Sequence, residues 1–74
     1  MIPTIKHIQE STACGALAVW KDGQENGRRL EAGKSLSGYA VFRYSGFRLI
    51  VHHSGLTLEE AARVIDRWIA EIND

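Results

Sequence analysis

The chain has a single cysteine and no net charge, and each scarcity narrows the choice of protein class. Cys14 has no second cysteine to join, so an internal disulfide is excluded. Nine Lys or Arg residues balance nine Asp or Glu residues, so the overall charge gives no argument for nucleic acid or an anionic membrane. No run approaches the roughly 18 apolar residues of a membrane span, and residues 1–10 lack the apolar core of a signal peptide. We therefore expect a cytoplasmic protein with no membrane partner.

The length of 74 residues predicts one domain, 1–74. Hydrophobic residues make up 45% of the chain, which is ordinary for a globular protein. The charges are unevenly placed, because residues 1–53 carry seven basic and four acidic side chains, whereas residues 54–74 carry two basic and five acidic ones. The body of the domain is therefore mildly basic, and its C-terminal segment is acidic.

The strongest pattern in the sequence lies at its C-terminal end. Apolar residues recur there at the 3.6-residue spacing of a helix that lies on a core, namely Leu58, Ala61, Ala62, Ile65, Trp68, Ile69 and Ile72. Thr57 and Glu60 have the spacing of a capping box, in which each side chain accepts the other residue's backbone N–H. Together these features predict an amphipathic helix over about 57–73.

A β-hairpin is predicted upstream of this helix. The segments 38–44 and 47–53 are rich in aromatic and β-branched residues, and Ser45-Gly46 between them suits a two-residue turn. That turn would place Arg43 opposite Arg48, and it would divide the side chains between two faces. One face would form the core with Ala40, Phe42, Tyr44, Phe47, Leu49 and Val51. The other would carry Tyr39, Val41, Arg43, Arg48, Ile50 and His52.

The first half of the chain leaves alternatives open. Residues 16–21 predict a strand that turns at Asp22-Gly23 or Asn26-Gly27, with a return strand over about 28–32. In residues 2–13 the alternation of side chains favours a strand. A short helix, with Thr4 as cap and Gly15 as stop, is the alternative. We expect an α+β fold, with an antiparallel sheet of three or four strands over about 2–53 and the C-terminal helix packed on one face.

The predicted face that the helix leaves open is the first candidate site. Like charges directly across a strand pair destabilise a sheet unless solvent, a carboxylate or an anionic partner compensates them. A patch that mixes Arg, Tyr and branched apolar side chains has the composition of a binding surface. The alternative is that arginine stems cover a second, minor core. The partner-binding residues predicted on this basis are Tyr39, Val41, Arg43, Arg48, Ile50 and His52.

Other clusters give weaker signals. Arg28, Arg29 and Lys34 lie in a turn-rich segment and are candidate contacts to phosphate or to an acidic partner, although a solvated loop would look the same. His7, Cys14, His52 and His53 do not match a compact zinc-ligand spacing, and so short a chain has little room for a catalytic cleft. We therefore expect no metal, no cofactor and no enzymatic activity.

The helix start carries a loose resemblance to known families. A three-stranded sheet followed by a helix that begins Gly55-Leu56-Thr57-Leu58-Glu59-Glu60-Ala61 resembles small sheet-type DNA-binding domains, such as the AP2 domain and the arm-binding domain of tyrosine integrases. The resemblance covers the last half of the chain, and its core is the capping box. In those families the sheet face opposite the helix enters the major groove. The resemblance thus implies a nucleic-acid-binding sheet, and it assigns no role to single residues.

Two kinds of partner follow from these observations. Another protein is the first, bound on the open sheet face by a small regulator or inhibitor. Such proteins are often carried by phages or mobile elements, for instance to inhibit a host defence complex. Nucleic acid is the second, bound by the same face with Arg28, Arg29 and Lys34 on the backbone. A homodimer through Val41 and Ile50 is a third interpretation.

Overall fold

The computed structural model describes residues 3–21 and 27–72. Their elements, in chain order, are α1 (Thr4–Ala13), β1 (Ala18–Lys21), β2 (Arg28–Ser35), β3 (Gly38–Ser45), β4 (Arg48–Leu56) and α2 (Leu58–Ile72). The strands form one four-stranded antiparallel sheet in the order β1-β2-β3-β4. The predicted α+β class and the C-terminal helix on one face are confirmed. The choice between the Asp22-Gly23 and Asn26-Gly27 turns falls on residues 22–26, outside the described residues.

The capping box at the start of α2 forms as predicted. The Thr57 backbone N–H donates to Glu60 Oε1 at 3.0 Å, and the Glu60 N–H donates to Thr57 Oγ1 at 3.1 Å. Two hydrogen bonds with Thr57 hold the pKa of the Glu60 carboxyl below its usual value. The bond from the Thr57 backbone has the larger effect, and the bond with the Thr57 side chain has the smaller one. The apolar stripe of the helix is also confirmed, since its buried residues are Ala61, Ala62, Ile65 and Trp68.

Residues 4–13 form a helix, so the strand favoured there by the alternation is wrong. Ile8, the buried residue of α1, has none of its surface exposed and belongs to the same core cluster as Ile65 of α2. Gly15 stops the helix as the alternative expected, because it adopts a φ of +77° and its N–H donates to the Thr12 carbonyl at 3.1 Å. Thr4 does not cap the helix. It is the first helical residue, and its hydroxyl donates to the Asp66 carboxylate of α2.

The β3–β4 hairpin has a different register from the predicted one. Its two turn residues are Gly46 and Phe47, and Gly46 has a φ of +63°. A two-residue turn with glycine at its first central position satisfies this geometry, whereas a Ser45-Gly46 turn of type I′ would force a positive φ on serine. Ser45 therefore faces Arg48, and Tyr44 faces Leu49. A one-residue slip of this kind changes which side chains of β4 share a face with a given set of β3 side chains.

Both helices lie on the same face of the sheet. α1 packs against β1, β2 and α2, and α2 packs mainly against β3. The row Ala18–Ala32–Val41, which crosses three paired strands, is fully buried beneath them. The remaining buried residues complete one core cluster: Ile8, Leu30, Ala61, Ala62, Ile65 and Trp68. The opposite face of the sheet is not covered by any described element.

The close approach of the start of β3 to the end of β4 depends on Gly38, which has a φ of +120°. A Cβ at this position would lie 2.9 Å from the backbone oxygen of Leu56, so the neighbouring backbone would have to move. We expect Gly38→Ala to lower the free energy of unfolding by about 2–3 kcal/mol. Urea denaturation followed by circular dichroism measures this loss.

Gly55→Ala is the matched control for that measurement. Gly55 also has a positive φ, +69°, but a Cβ there meets no atom within 4 Å. Its replacement carries only the backbone cost of the left-handed conformation, about 1 kcal/mol. Equal losses in the two variants would show that the contact with Leu56 does not constrain Gly38.

Candidate binding surface on the open sheet face

The strand registers define which side chains face away from the helices. Residues directly paired across strands share a face, and the buried row Ala18–Ala32–Val41 marks the face covered by the helices. The side chains of the intervening rows of paired residues point away from the helices. We call this set the open face, and its residues are Val19, Lys21, Arg29, Glu31, Gly33, Ala40, Phe42, Tyr44, Leu49 and His52.

A column of rings crosses the open face. Phe42 and His52, paired across β3 and β4, stack with ring centroids 4.7 Å apart and an angle of 2° between their planes. Phe42 and Tyr44 lie two residues apart on β3, with centroids at 6.5 Å and planes at 27°. Because cross-strand aromatic pairs stabilise a sheet, the contact between Phe42 and His52 holds both side chains in place.

Arg29 extends the column at the Tyr44 end. Its guanidinium carbon lies 4.6 Å from the centroid of the Tyr44 ring, within the range of a cation–π contact. Its Nε lies 2.9 Å from Glu31 Oε2, without the alignment of a hydrogen bond. Arg29 is therefore held by both a ring and a carboxylate, and Glu31 offsets its charge.

Apolar side chains border the column on two sides. Leu49, opposite Tyr44 on β4, keeps 47% of its surface exposed. Leu17, just before β1, is half exposed and lies over Gly33, where an added Cβ would be 2.6 Å from Leu17 Cδ2. The absence of a side chain at Gly33 lets Leu17 lie against the sheet. The open face thus has an aromatic centre and an apolar margin.

The structure divides the six predicted partner-binding residues between the two faces. Val41 is 0% exposed, so neither the predicted binding role nor the predicted homodimer contact is compatible with its position. Tyr39 packs against the core. Arg43 lies on the helix side, where its Nη1 donates to Glu71 Oε1 at 3.2 Å and its guanidinium lies 6.0 Å from the Trp68 ring. These three residues share one face of β3 in either register, and the helices pack on that face, so their predicted placement on the open face is wrong.

The other three predicted residues remain accessible. His52 lies on the open face, stacked on Phe42. Arg48 is exposed at the start of β4, opposite Ser45, and the predicted pairing of Arg43 with Arg48 is wrong because Arg43 faces Val51. Ile50 has no partner in the ladder, since β4 bulges between Leu49 and Val51, and it is 54% exposed.

The three predicted phosphate or acidic-partner contacts do not form one cluster. Arg28 and Arg29 are consecutive in β2, so their side chains leave opposite faces of the sheet. Only Arg29 belongs to the open face. Lys34 lies opposite Tyr39, with its Nζ 5.7 Å from that ring.

Phe42, Tyr44 and Leu49 lie on the open face, so their predicted placement in the core is wrong. Gly46 signals how β4 pairs with β3, because the turn starts at this glycine, but the choice of which β3 side chains the helices cover has no such local signal.

The histidines and the cysteine lie apart from one another. His7 contacts Trp20 edge to face at 4.9 Å, His53 stacks on Trp68 at 6.0 Å on the helix side, and Cys14 is exposed at the end of α1. Within residues 3–21 and 27–72, no three His, Cys, Asp or Glu side chains are grouped so that they could hold a metal ion. Neither α1 nor α2, the helices of the described ranges, is long and apolar enough to cross a membrane.

Comparisons with protein-family models, curated proteins and solved structures find no match to this chain. Function is therefore inferred from the chemistry of the open face alone.

Proposed function

We propose that this chain is a non-catalytic protein-interaction module that binds its partner with the open face. The observation that carries the proposal is the column Arg29–Tyr44–Phe42–His52, which no described element covers. Tyr and Arg are the residue types that most often dominate binding energy in protein interfaces. Here they are held in fixed positions, so a partner would lose little side-chain entropy on docking.

The arrangement of the rings favours a protein over nucleic acid. Bases bind to proteins by stacking on free aromatic faces, together with cations along the backbone. Phe42 has one ring face against His52, and Tyr44 has Arg29 over its ring. The basic residues of the open face are Lys21 and Arg29, and Glu31 offsets the second. Ring edges and apolar margins are what remains for contact, and these suit the packed centre of a protein interface.

A module of this kind acts by occupying a surface of its partner. It would serve as a small cytoplasmic regulator or inhibitor, the class that includes inhibitors of host defence complexes carried by phages and other mobile elements. This role needs no reacting group on the chain, because blocking a surface requires only affinity and shape.

Tyr44→Ala tests the open face directly. The partner would first be captured from the native host with the wild-type chain and identified by mass spectrometry, and its affinity then measured with purified proteins. We expect Tyr44→Ala to weaken binding by about 2 kcal/mol or more, roughly thirtyfold, since a hot-spot ring and the support of Arg29 are both lost. Leu36→Ala is the control, because Leu36 is fully exposed in the turn between β2 and β3, away from the column. Wild-type affinity in a folded Tyr44→Ala variant would reject this surface.

Nucleic acid is the second candidate, since a stack of rings beside Arg29 also occurs in single-strand binding sites. Fluorescence polarisation with single-stranded and duplex oligonucleotides at low salt separates the two. Binding that Tyr44→Ala abolishes, with a log–log salt slope near −0.7 per phosphate on single strands or −0.9 on duplex DNA, would favour nucleic acid. We expect no binding at low salt.

A further inference from the structure

The outer edge of β4 is a second surface with recognisable chemistry. β4 spans nine residues at one end of the sheet and pairs only with β3 among the described strands, whereas the other edge strand, β1, spans four. An unpaired strand edge presents backbone N–H and C=O groups that can bond to an added strand. Peptides bind to many domains in this way, by main-chain pairing along an exposed edge.

β4 has few of the devices that block such pairing. It contains no Lys and no Pro, and its protection consists of two register shifts, one of them at Ile50. Leu49 and Ile50 are each about half exposed beside this shift. Because a bulge increases the local twist, only a strand that follows the twist can pair along β4. The edge of β4 can therefore pair with an added strand, provided that the added strand has a matching twist.

The charges around this edge are mainly positive. The charged side chain of β4 is Arg48, and the strand has no Asp or Glu. Beside its end, a shallow groove of about 170 Å³ has Leu56 and Val64 as its apolar residues and Arg63 and Arg67 as its basic ones. Glu60 also lines the groove, where its ionised carboxylate accepts from the Thr57 backbone N–H, and the two arginines outnumber it.

These charges decide which strand fits. A second copy of the chain, paired through β4, would bring no carboxylate to Arg48, because β4 has no Asp or Glu. Like charges opposite each other destabilise a strand pair, and opposite charges stabilise it. We propose that β4 binds an extended, acidic segment of another protein as a fifth strand, with its apolar side chains beside Leu49 and Ile50 and its carboxylates toward Arg48 and Arg67.

This edge site is separate from the open face, because it rests on backbone groups and on arginines outside the column. The two surfaces adjoin at Leu49 and His52, so one partner could cover both, yet each can fail alone. A displayed library of random 12-residue peptides, selected against the wild-type chain, provides the probe. We expect the enriched peptides to be acidic and to alternate with apolar residues. Once synthesised, they should slow amide hydrogen exchange in β4.

Charge reversal then tests the two arginines. Arg48→Glu/Arg67→Glu should weaken the best peptide about tenfold or more, because attractive pairs become repulsive ones. The matched control, Lys6→Glu/Lys34→Glu, reverses two exposed cations on α1 and β2 and should change affinity less than about threefold. Tyr44→Ala is measured against the captured partner and the arginine variants against the displayed peptides, so failure of the edge site and failure of the open face are read separately.

Several results would overturn the edge site. They are the absence of enriched peptides, enrichment of neutral or basic ones, unchanged amide exchange in β4, and equal affinity of the two double variants. Sedimentation that showed a dimer with β4 protected from exchange would assign the edge to a second copy instead, and would also overturn the proposal.

Discussion

Trp68→Ala is expected to remove about 3–5 kcal/mol from the free energy of unfolding, the range found when a buried Trp or Phe is truncated. Trp68 is buried in α2, with His53 stacked at 6.0 Å and the Arg43 guanidinium 6.0 Å from its ring. A 74-residue domain has roughly 4–11 kcal/mol of stability in total. The loss is therefore a large fraction of the total, and at the lower end of this range the variant would be largely unfolded.

Urea denaturation followed by circular dichroism measures the loss at Trp68. Trp68→Phe is the control, because it keeps an aromatic ring under Arg43 and His53, and it should cost at most about 2 kcal/mol. If Trp68→Ala lost no more stability than Trp68→Phe, the indole would not be the part of the core that joins α2 to β3 and β4.

Ile8→Ala is expected to cost about 2–5 kcal/mol, which would make α1 an essential part of the core. Ile8 is 0% exposed and lies in the cluster with Ile65. Ile5, three residues earlier in α1, is 37% exposed, so Ile5→Ala removes the same atoms from a site that water partly fills. The control should cost less, about 1–2 kcal/mol, since 37% of Ile5 is already exposed to water.

The comparison of the two isoleucines is made by urea denaturation under identical conditions. Equal losses at Ile8 and Ile5 would mean that α1 rests loosely on the sheet, and that the core is formed by β1–β4 and α2 alone. A loss at Ile8 of the expected size would identify α1 as the element that covers β1 and β2.

α2 could be predicted because its signals are local. A 3.6-residue repeat over fifteen residues and a capping box at Thr57 and Glu60 do not depend on the rest of the chain. α1 gave weaker signals, because it has ten residues, no side-chain cap and one buried residue. Its stability comes from Ile8 meeting the core, and the sequence of residues 4–13 does not contain that contact.

The site was missed for a related reason. In β3 the alternating sets Tyr39, Val41, Arg43 and Ala40, Phe42, Tyr44 are similar in apolar content, so composition does not decide which set the helices cover. That choice depends on contacts with α1 and α2, which lie far from β3 in sequence. Placing the turn one residue too early was a separate error, which moved the β4 side chains to the wrong side relative to β3. His52 and Arg29 were still identified, because the wrong face of β3 and the slipped pairing of β4 cancel at His52, and Arg29 was chosen for its charge.

The two-sided character of β3 has a consequence for how such a protein can diverge. Residues 39, 41 and 43 are constrained by the packing beneath them, whereas residues 40, 42 and 44 face away from it. If the open face binds a partner as proposed, neighbouring codons would be under unrelated selection. A lineage could exchange one partner for another by changing every second residue of a single strand, while the core that keeps the domain folded is inherited intact.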